Sequence, residues 1–261
     1  MLPLAGPQIP ESSEALAAAL REGLAAHGLP AREVTAQGAW PALDLLRLDL
    51  TGAKITRSQL PGSPGGQRLG GFKAARFELV AKPIELESTP VQISVHADDA
   101  SFKLASTSEG ELLLIERAAR GEVTVEVARV EVERLIHSFA SAAAKEHGVD
   151  IKSVKVSFTS RGPRAVSVKA EVTAKMFIAT ATVALSGDVD LDDQLNARLS
   201  NLCFDGDGMV ANLAGGFIRP QLAKFEGRTF PLMSFALGEI TLRDVQLLPG
   251  ETLRLSAQFA S

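Results

Sequence analysis

Several kinds of chemistry are excluded by what this chain lacks. Cys203 is its single cysteine, tyrosine is absent and tryptophan occurs once. No internal disulfide, thiolate zinc cage or aromatic base-stacking groove can be built from that inventory. No apolar run approaches the about 18 residues of a bilayer-crossing helix; the best window, Met176 to Leu185, spans ten and includes two threonines. Met1 to Pro7 carry no basic segment ahead of an apolar one, so no secretory leader is visible. Charge of one sign is scarce too. The 27 Lys and Arg against 31 Asp and Glu leave a net −4, which excludes an acidic tail and a dedicated nucleic-acid binder. What remains is greasy: 46% of 261 residues are hydrophobic, mostly aliphatic, with 12 Phe. That suits one large folded domain or two small ones.

The pattern along the chain alternates helices with runs of strands. A Pro-rich lead-in over 1–11, expected to be flexible, gives way to Glu11-Ser12-Ser13-Glu14, whose hydroxyls can cap free helix amides. Leu16, Leu20, Leu24 and His27 follow at helical spacing and Gly28 ends the run. Leu46, Leu48 and Leu50 then alternate with polar residues, as do Ile93 and Val95, and Val123, Val125 and Val127. Period two with one polar face predicts antiparallel strands buried on one side. A second helix is predicted from about Glu131, with Val132, Leu135, Ile136, Phe139 and Ala143 on one stripe and His147-Gly148 closing it. Further strands carry Val154, Val156 and Phe158, then Val166, Val168, Ala170 and Val172, around a hairpin tip at Ser160 to Arg164. A third helix spans roughly Asp207 to Glu226, where Pro220 should bend or split it, and two strands end the chain.

His27-Gly28 and His147-Gly148 close equivalent helix-to-strand passages 120 residues apart. An internal duplication of a helix-then-sheet unit, over about 12–128 and 129–261 of a single domain 12–261, is the simplest account. Ser58 to Gly71 holds five Gly and two Pro in fourteen residues and reads as a mobile surface loop, a tolerated insertion or a gate.

Catalytic templates fail in turn. Gly65 and Gly70 have phosphate-loop spacing, but Gly71 stands where Lys is needed, and no nucleophile elbow or paired-histidine helix exists. His27 and His147 end helices, while His96 and His137 read as solvated. Cys203, in Leu202-Cys203-Phe204, reads as a small buried hydrophobe. An EF-hand at Asp188 needs Gly sixth and Glu twelfth, where Asp193 and Leu199 stand. Asp188, Asp190 and Asp192 are therefore the wet face of a strand, with no metal, no cofactor other than a bound lipid, and no enzyme expected.

Between Met176 and Leu185 one face reads Phe177, Ala179, Ala181, Val183, Leu185 and the other Met176, Ile178, Thr180, Thr182, Ala184. Neither is charged, so both are expected to be covered, with small side chains midway. Such elements either meet in an ordinary core or enclose an elongated apolar cavity. Leu135, Phe139, Phe158, Phe177, Ala179, Ala181, Val183, Leu185, Leu213 and Phe217 are the lining residues that periodicity nominates. Arg161 and Arg164 at the hairpin tip, or Arg68 and Lys73 beside the loop, are placed to meet phosphate.

Gly-Glu-Val-Thr-Val-Glu-Val (121–127), Val-Glu-Arg-Leu-Ile (132–136), Val166 to Val172, Phe235 to Leu247 and Gly250 to Ala257 together resemble the bacterial LmeA-like phospholipid-binding family. More distantly the chain is similar to the TULIP superfamily of tubular lipid-binding proteins. The resemblance is strongest over 121–259 and offers no fixed polar motif. It implies an α+β fold in which long helices are wrapped by a highly curved antiparallel sheet, a tube holding acyl chains. The function it implies is non-catalytic binding, with transfer between membranes, of phospholipid or fatty-acyl lipids through transient membrane contact. The other reading open to the sequence is a solid-core scaffold or interaction protein of the bacterial cell envelope. The expected location is the cytoplasm, or the envelope or periplasm where a leader precedes the chain.

Overall fold

In the computed structural model, residues 2–56, 68–107, 110–145, 148–176, 179–192, 196–231 and 242–260 are described. The chain opens with β1 (Leu2–Leu4) and α1 (Ser13–Ala26). Then come β2 (Glu33–Ala39), β3 (Ala42–Asp49), β4 (Lys54–Ile55), β5 (Arg68–Leu86), β6 (Thr89–Thr107), β7 (Gly110–Arg117) and β8 (Arg120–Ala128). After α2 (Arg129–Lys145) run β9 (Asp150–Gly162), β10 (Ala165–Met176), β11 (Ala179–Leu191) and β12 (Asn196–Asp205). Last are α3 (Met209–Phe225), β13 (Thr229–Pro231), β14 (Leu242–Leu248) and β15 (Thr252–Phe259).

This is a mostly-β protein, and the expected α+β tube of long helices inside a curved wrap is wrong. Strands account for 62% of the structure and helices for 20%, in two sheets and three short helices. Element lengths explain the difference. The longest helices have 17 residues, about 25 Å at 1.5 Å per residue. β5 and β6 have 19 residues each, about 60 Å at 3.3 Å per residue. With no helix longer than 17 residues among the described residues, there is no long axial helix for a sheet to wrap. The period-two pattern runs further than the short windows read from sequence, and glycines stop the helices early.

The larger sheet has ten strands, with the path β14-β15-β8-β6-β5-β3-β2 and with β1, β4 and β7 attached to it. The smaller is the antiparallel order β13-β12-β11-β10-β9. The chain divides into two compact units: Met1–Glu126 with Met233–Val245 and Ser256–Ser261, and Val127–Leu232 with Gln246–Leu255.

In unit 1, Ser12 caps α1 by accepting from the Ala15 amide at 3.1 Å. Leu16, Leu20 and Leu24 are at most 1% exposed, so the helix's apolar stripe is fully spent on the core. The lead-in is structured rather than flexible where it forms β1: Leu2–Leu4 pair with β7. Gly23 makes that approach possible, because a Cβ there would lie 2.5 Å from the Pro3 carbonyl oxygen. Phe72 stacks on Phe102 at 4.8 Å, Phe77 meets Phe102 edge-on, and Trp40 leans on Phe72. Of the loop expected at 58–71, residues 57–67 lie outside the described residues, and 68–71 are the start of β5.

In unit 2, α2 and α3 cover one face of the five-stranded sheet. Val154, Val156, Ala170, Val172, Val183, Phe204, Ala211 and Ala214 form its buried cluster. α3 runs through Pro220 as one helix and is neither split nor ended there. The opposite sheet face is polar, with Thr173 and Thr182 joined through their hydroxyls at 3.2 Å. Thr180 and Thr182 are exposed, so the expectation that both faces of this strand are covered fails: hydroxyls alone suffice to make a wet face.

α1 and α2 end in the same way. Gly28 and Gly148 both take left-handed φ, +71° and +67°. Gly28 and Leu29 donate to Ala25 and Leu24, and Gly148 and Val149 donate to Lys145 and Ala144. These are i−3 and i−5 bonds of the Schellman type, satisfying carbonyls that a helix end leaves open.

Candidate functional site

The smaller sheet places its helices apart. α2 packs over the edge strand β9, whereas α3 packs over β11 and β12, leaving β10 between them. The helix-side residues of β10 there, Ala170 and Val172, are buried in a cluster that both helices pack against.

Polar side chains of α2 fix this arrangement. The Glu133 carboxylate accepts from the Val156 amide at 2.8 Å, and His137 Nε2 lies 3.2 Å from the Ile151 carbonyl oxygen, in the geometry of a ring N–H donating to it. Both backbone groups point off the open edge of β9, so these side chains replace part of a missing strand. Sequence reading left His137 solvated and passed over Glu133. Their signal was present: i and i+4 spacing beside the apolar stripe puts two polar groups on one flank.

At about 100° per residue, Ile136 and Val132 lie next round the helix from Glu133, followed by Phe139 and Leu135. That last flank looks inward across β10. Val132 and Ile136 pack against the buried cluster and are partly buried, as are Ile151, Phe158, Val168, Leu185, Ile218 and Leu222. Phe139 is 69% exposed and Leu135 39%. The face beneath the helices is thus a buried apolar cluster with a partly buried margin, and Leu135 and Phe139 are exposed beside it.

The nominated lining residues fall into three groups. Phe158, Val183 and Leu185 sit on the helix side of the sheet, Val183 in the buried cluster and the other two packed against it. Ala179 and Ala181 are half-buried on β11, where Ala181 pairs with the buried Ala174. Leu135 and Phe139 are exposed on α2 and line no enclosed tube. Leu213 and Phe217 belong to α3, but their side chains, like the whole of Phe177, lie outside the described residues.

The phosphate-facing role expected of Arg161 meets an obstacle. Its guanidinium lies 3.2 Å from Asp188 and 3.3 Å from Asp190 on the polar sheet face, so its charge is already matched. Asp188 also accepts from Ser167 at 2.6 Å and Asn201 at 2.7 Å. The Ser167 hydroxyl first, then the Asn201 amide and the Arg161 charge, hold its carboxyl below the usual value. Arg164 is half-buried, and its carbonyl receives the Leu191 amide at 2.8 Å. Lys73 is exposed on β5, and Arg68 opens that strand.

Cys203 is exposed, not buried as expected. Leu202 and Phe204 take the helix side, so alternation turns the thiol to the polar face opposite Ser186. His96 pairs with Asp98 at 3.1 Å on an exposed strand face. Among the described residues no three His, Cys, Asp or Glu side chains converge to hold a metal ion, and none of their helices is long and apolar enough to cross a membrane. Comparison of the chain with family models, curated proteins and solved structures returns no match. The lipid-binding resemblance therefore stands on the residues that carry it.

Proposed function

We propose that this protein binds acyl-chain lipids, fatty acid or phospholipid, without catalysis, in a cleft that opens along the apolar helix side of unit 2 between α2 and α3. The observation that supports the reading is the apolar margin of unit 2's helix side, where partly buried side chains of α2, α3 and the sheet surround the buried cluster and Leu135 and Phe139 stand exposed beside them. Ordinary cores bury such groups, and contiguous exposed apolar surface marks a place where something else binds. No acid–base pair or activated nucleophile is needed for this, and the strained turn at Asn201 (φ +53°) is held by Glu226 and not aimed at the cleft.

The energetics favour exchange over storage. Burying about twelve methylenes at roughly 0.8 kcal/mol each gives ~10 kcal/mol gross. An open cleft that shields about half of a chain yields about 5 kcal/mol, near the lower end of the 4–15 kcal/mol cost of association. A single chain is then held weakly and leaves quickly, which suits delivery, while a two-chain lipid is favoured.

Detergent-free purification, extraction and mass spectrometry of the extract, with uptake of a fluorescent fatty acid alongside, test the proposal. Co-purifying acyl lipid and saturable uptake are expected. An empty extract together with no uptake overturns it and leaves the interaction-protein reading.

A further inference from the structure

We propose that the C-terminal end of α3 docks the protein on an anionic lipid bilayer. This goes beyond cleft binding and does not require it. The helix sequence Met209–Phe225 contains Arg219 and Lys224 and no Asp or Glu, and Arg228 lies three residues beyond its end, after Glu226 and Gly227. All three cations are exposed. Arg219 lies 5.4 Å over the Phe204 ring and Arg228 5.6 Å over the Phe225 ring, while Lys224 donates to Gln221 at 3.1 Å. Among the described residues none of the three has a carboxylate within ion-pair distance. The one acid of the segment, Glu226, is exposed and accepts from the Asn201 and Leu202 amides at 3.0 and 2.8 Å.

Beside this uncompensated charge, Phe225 is 41% exposed. An aromatic ring flanked by cations is the arrangement that settles at a headgroup boundary, where the ring enters the acyl layer and the cations stay with the phosphates. α2 provides the contrast. It also exposes a phenylalanine, but Arg129 and Arg134 are already paired with Glu251 and Glu131. Charge complementarity thus picks out α3 and an anionic surface as its partner. No helix among the described residues can span a bilayer, so the contact is peripheral and reversible.

The test is co-sedimentation of the intact chain with vesicles of phosphatidylcholine alone and of phosphatidylcholine mixed with phosphatidylglycerol, at low and high salt. Binding to the anionic vesicles only, lost at high salt, is expected. Each cation near such a surface is worth about fivefold in affinity, so Lys224→Glu with Arg228→Glu should weaken binding by more than about tenfold. Phe225→Ser should weaken it several-fold, and Arg134→Glu should leave it unchanged. Lys224→Gln with Arg228→Gln, a milder pair, covers the case in which charge reversal disturbs folding. Equal binding to both vesicle types, binding to neither, or binding indifferent to both cation pairs overturns the proposal. Fatty-acid uptake measured on the same samples separates the two claims: loss of docking with uptake intact defeats this inference alone, and docking without uptake defeats the cleft.

Discussion

α1 and α2 are two helices of similar length, 14 and 17 residues, each lying on a sheet and each closed by a left-handed glycine. They differ in what they do with their apolar stripes. α1 buries Leu16, Leu20 and Leu24 completely, and β1 packs closely against the helix at Gly23. In α2 no large apolar side chain is buried among the described residues; Val132 and Ile136 are half-covered, while Val130, Leu135 and Phe139 are exposed. The large hydrophobic residues left exposed in the described structure, Val130, Leu135, Phe139, Phe225 and Leu248, all belong to unit 2. A helix held mainly by burial is a piece of core. A helix held partly by Glu133 and His137 at a strand edge leaves its apolar flank available.

That contrast can be broken by substitution, beginning with the largest effect. Leu20→Ala in α1 should cost about 2–5 kcal/mol of stability in urea unfolding, since it opens a cavity in a sealed site. A loss under 1 kcal/mol would mean that α1 is no better packed than α2. Gly121→Ala should cost about 1–3 kcal/mol, because the added Cβ would fall 2.0 Å from the Phe259 ring; the midpoint of thermal melting reads it. Glu133→Ala strips the Val156 amide of its partner and should cost about 1 kcal/mol, with faster hydrogen exchange at that amide as the specific sign. Phe139→Ser should leave stability within about 0.5 kcal/mol while reducing fatty-acid uptake. A large stability loss there would show that α2 is sealed in solution. The smallest effect concerns the polar face. Ser167→Ala removes the main hydrogen bond lowering the Asp188 pKa, so carboxyl titration by NMR should move upward. The sign follows from linkage: the bond stabilises the fold above the ordinary aspartate pKa, and that contribution fades as pH falls through the lower folded value. Asp188 is solvated enough that the change in overall stability is slight.

Much of this was legible in the sequence, for identifiable reasons. The Ser12 cap, the glycine closures and the one-faced strands of unit 2 depend on neighbours close in the chain, which spacing reports directly. The tube was misread because periodicity fixes which face is apolar but not how far a strand continues; β5 and β6 run well beyond their readable Val and Ile alternation. Pairing β3 parallel to β5, and attaching β1 to β7, are long-range choices that no local pattern encodes. In the site, the sheet residues Phe158, Val183 and Leu185 were found by parity. Leu135 and Phe139 were assigned to the inside because an apolar stripe wider than its contact surface looks the same on a helical wheel. Glu133, His137 and the Asp188 partners of Arg161 were missed because their roles depend on which strand lies at an edge and which pair shares a face.

Methyl-resolved NMR during titration with a long-chain fatty acid tests the cleft most directly. Shifts should concentrate at Leu135, Ile136, Val168 and Leu185, with Leu16, Leu20 and Leu24 unmoved. Unperturbed spectra throughout, or shifts centred on the α1 leucines, would contradict the account.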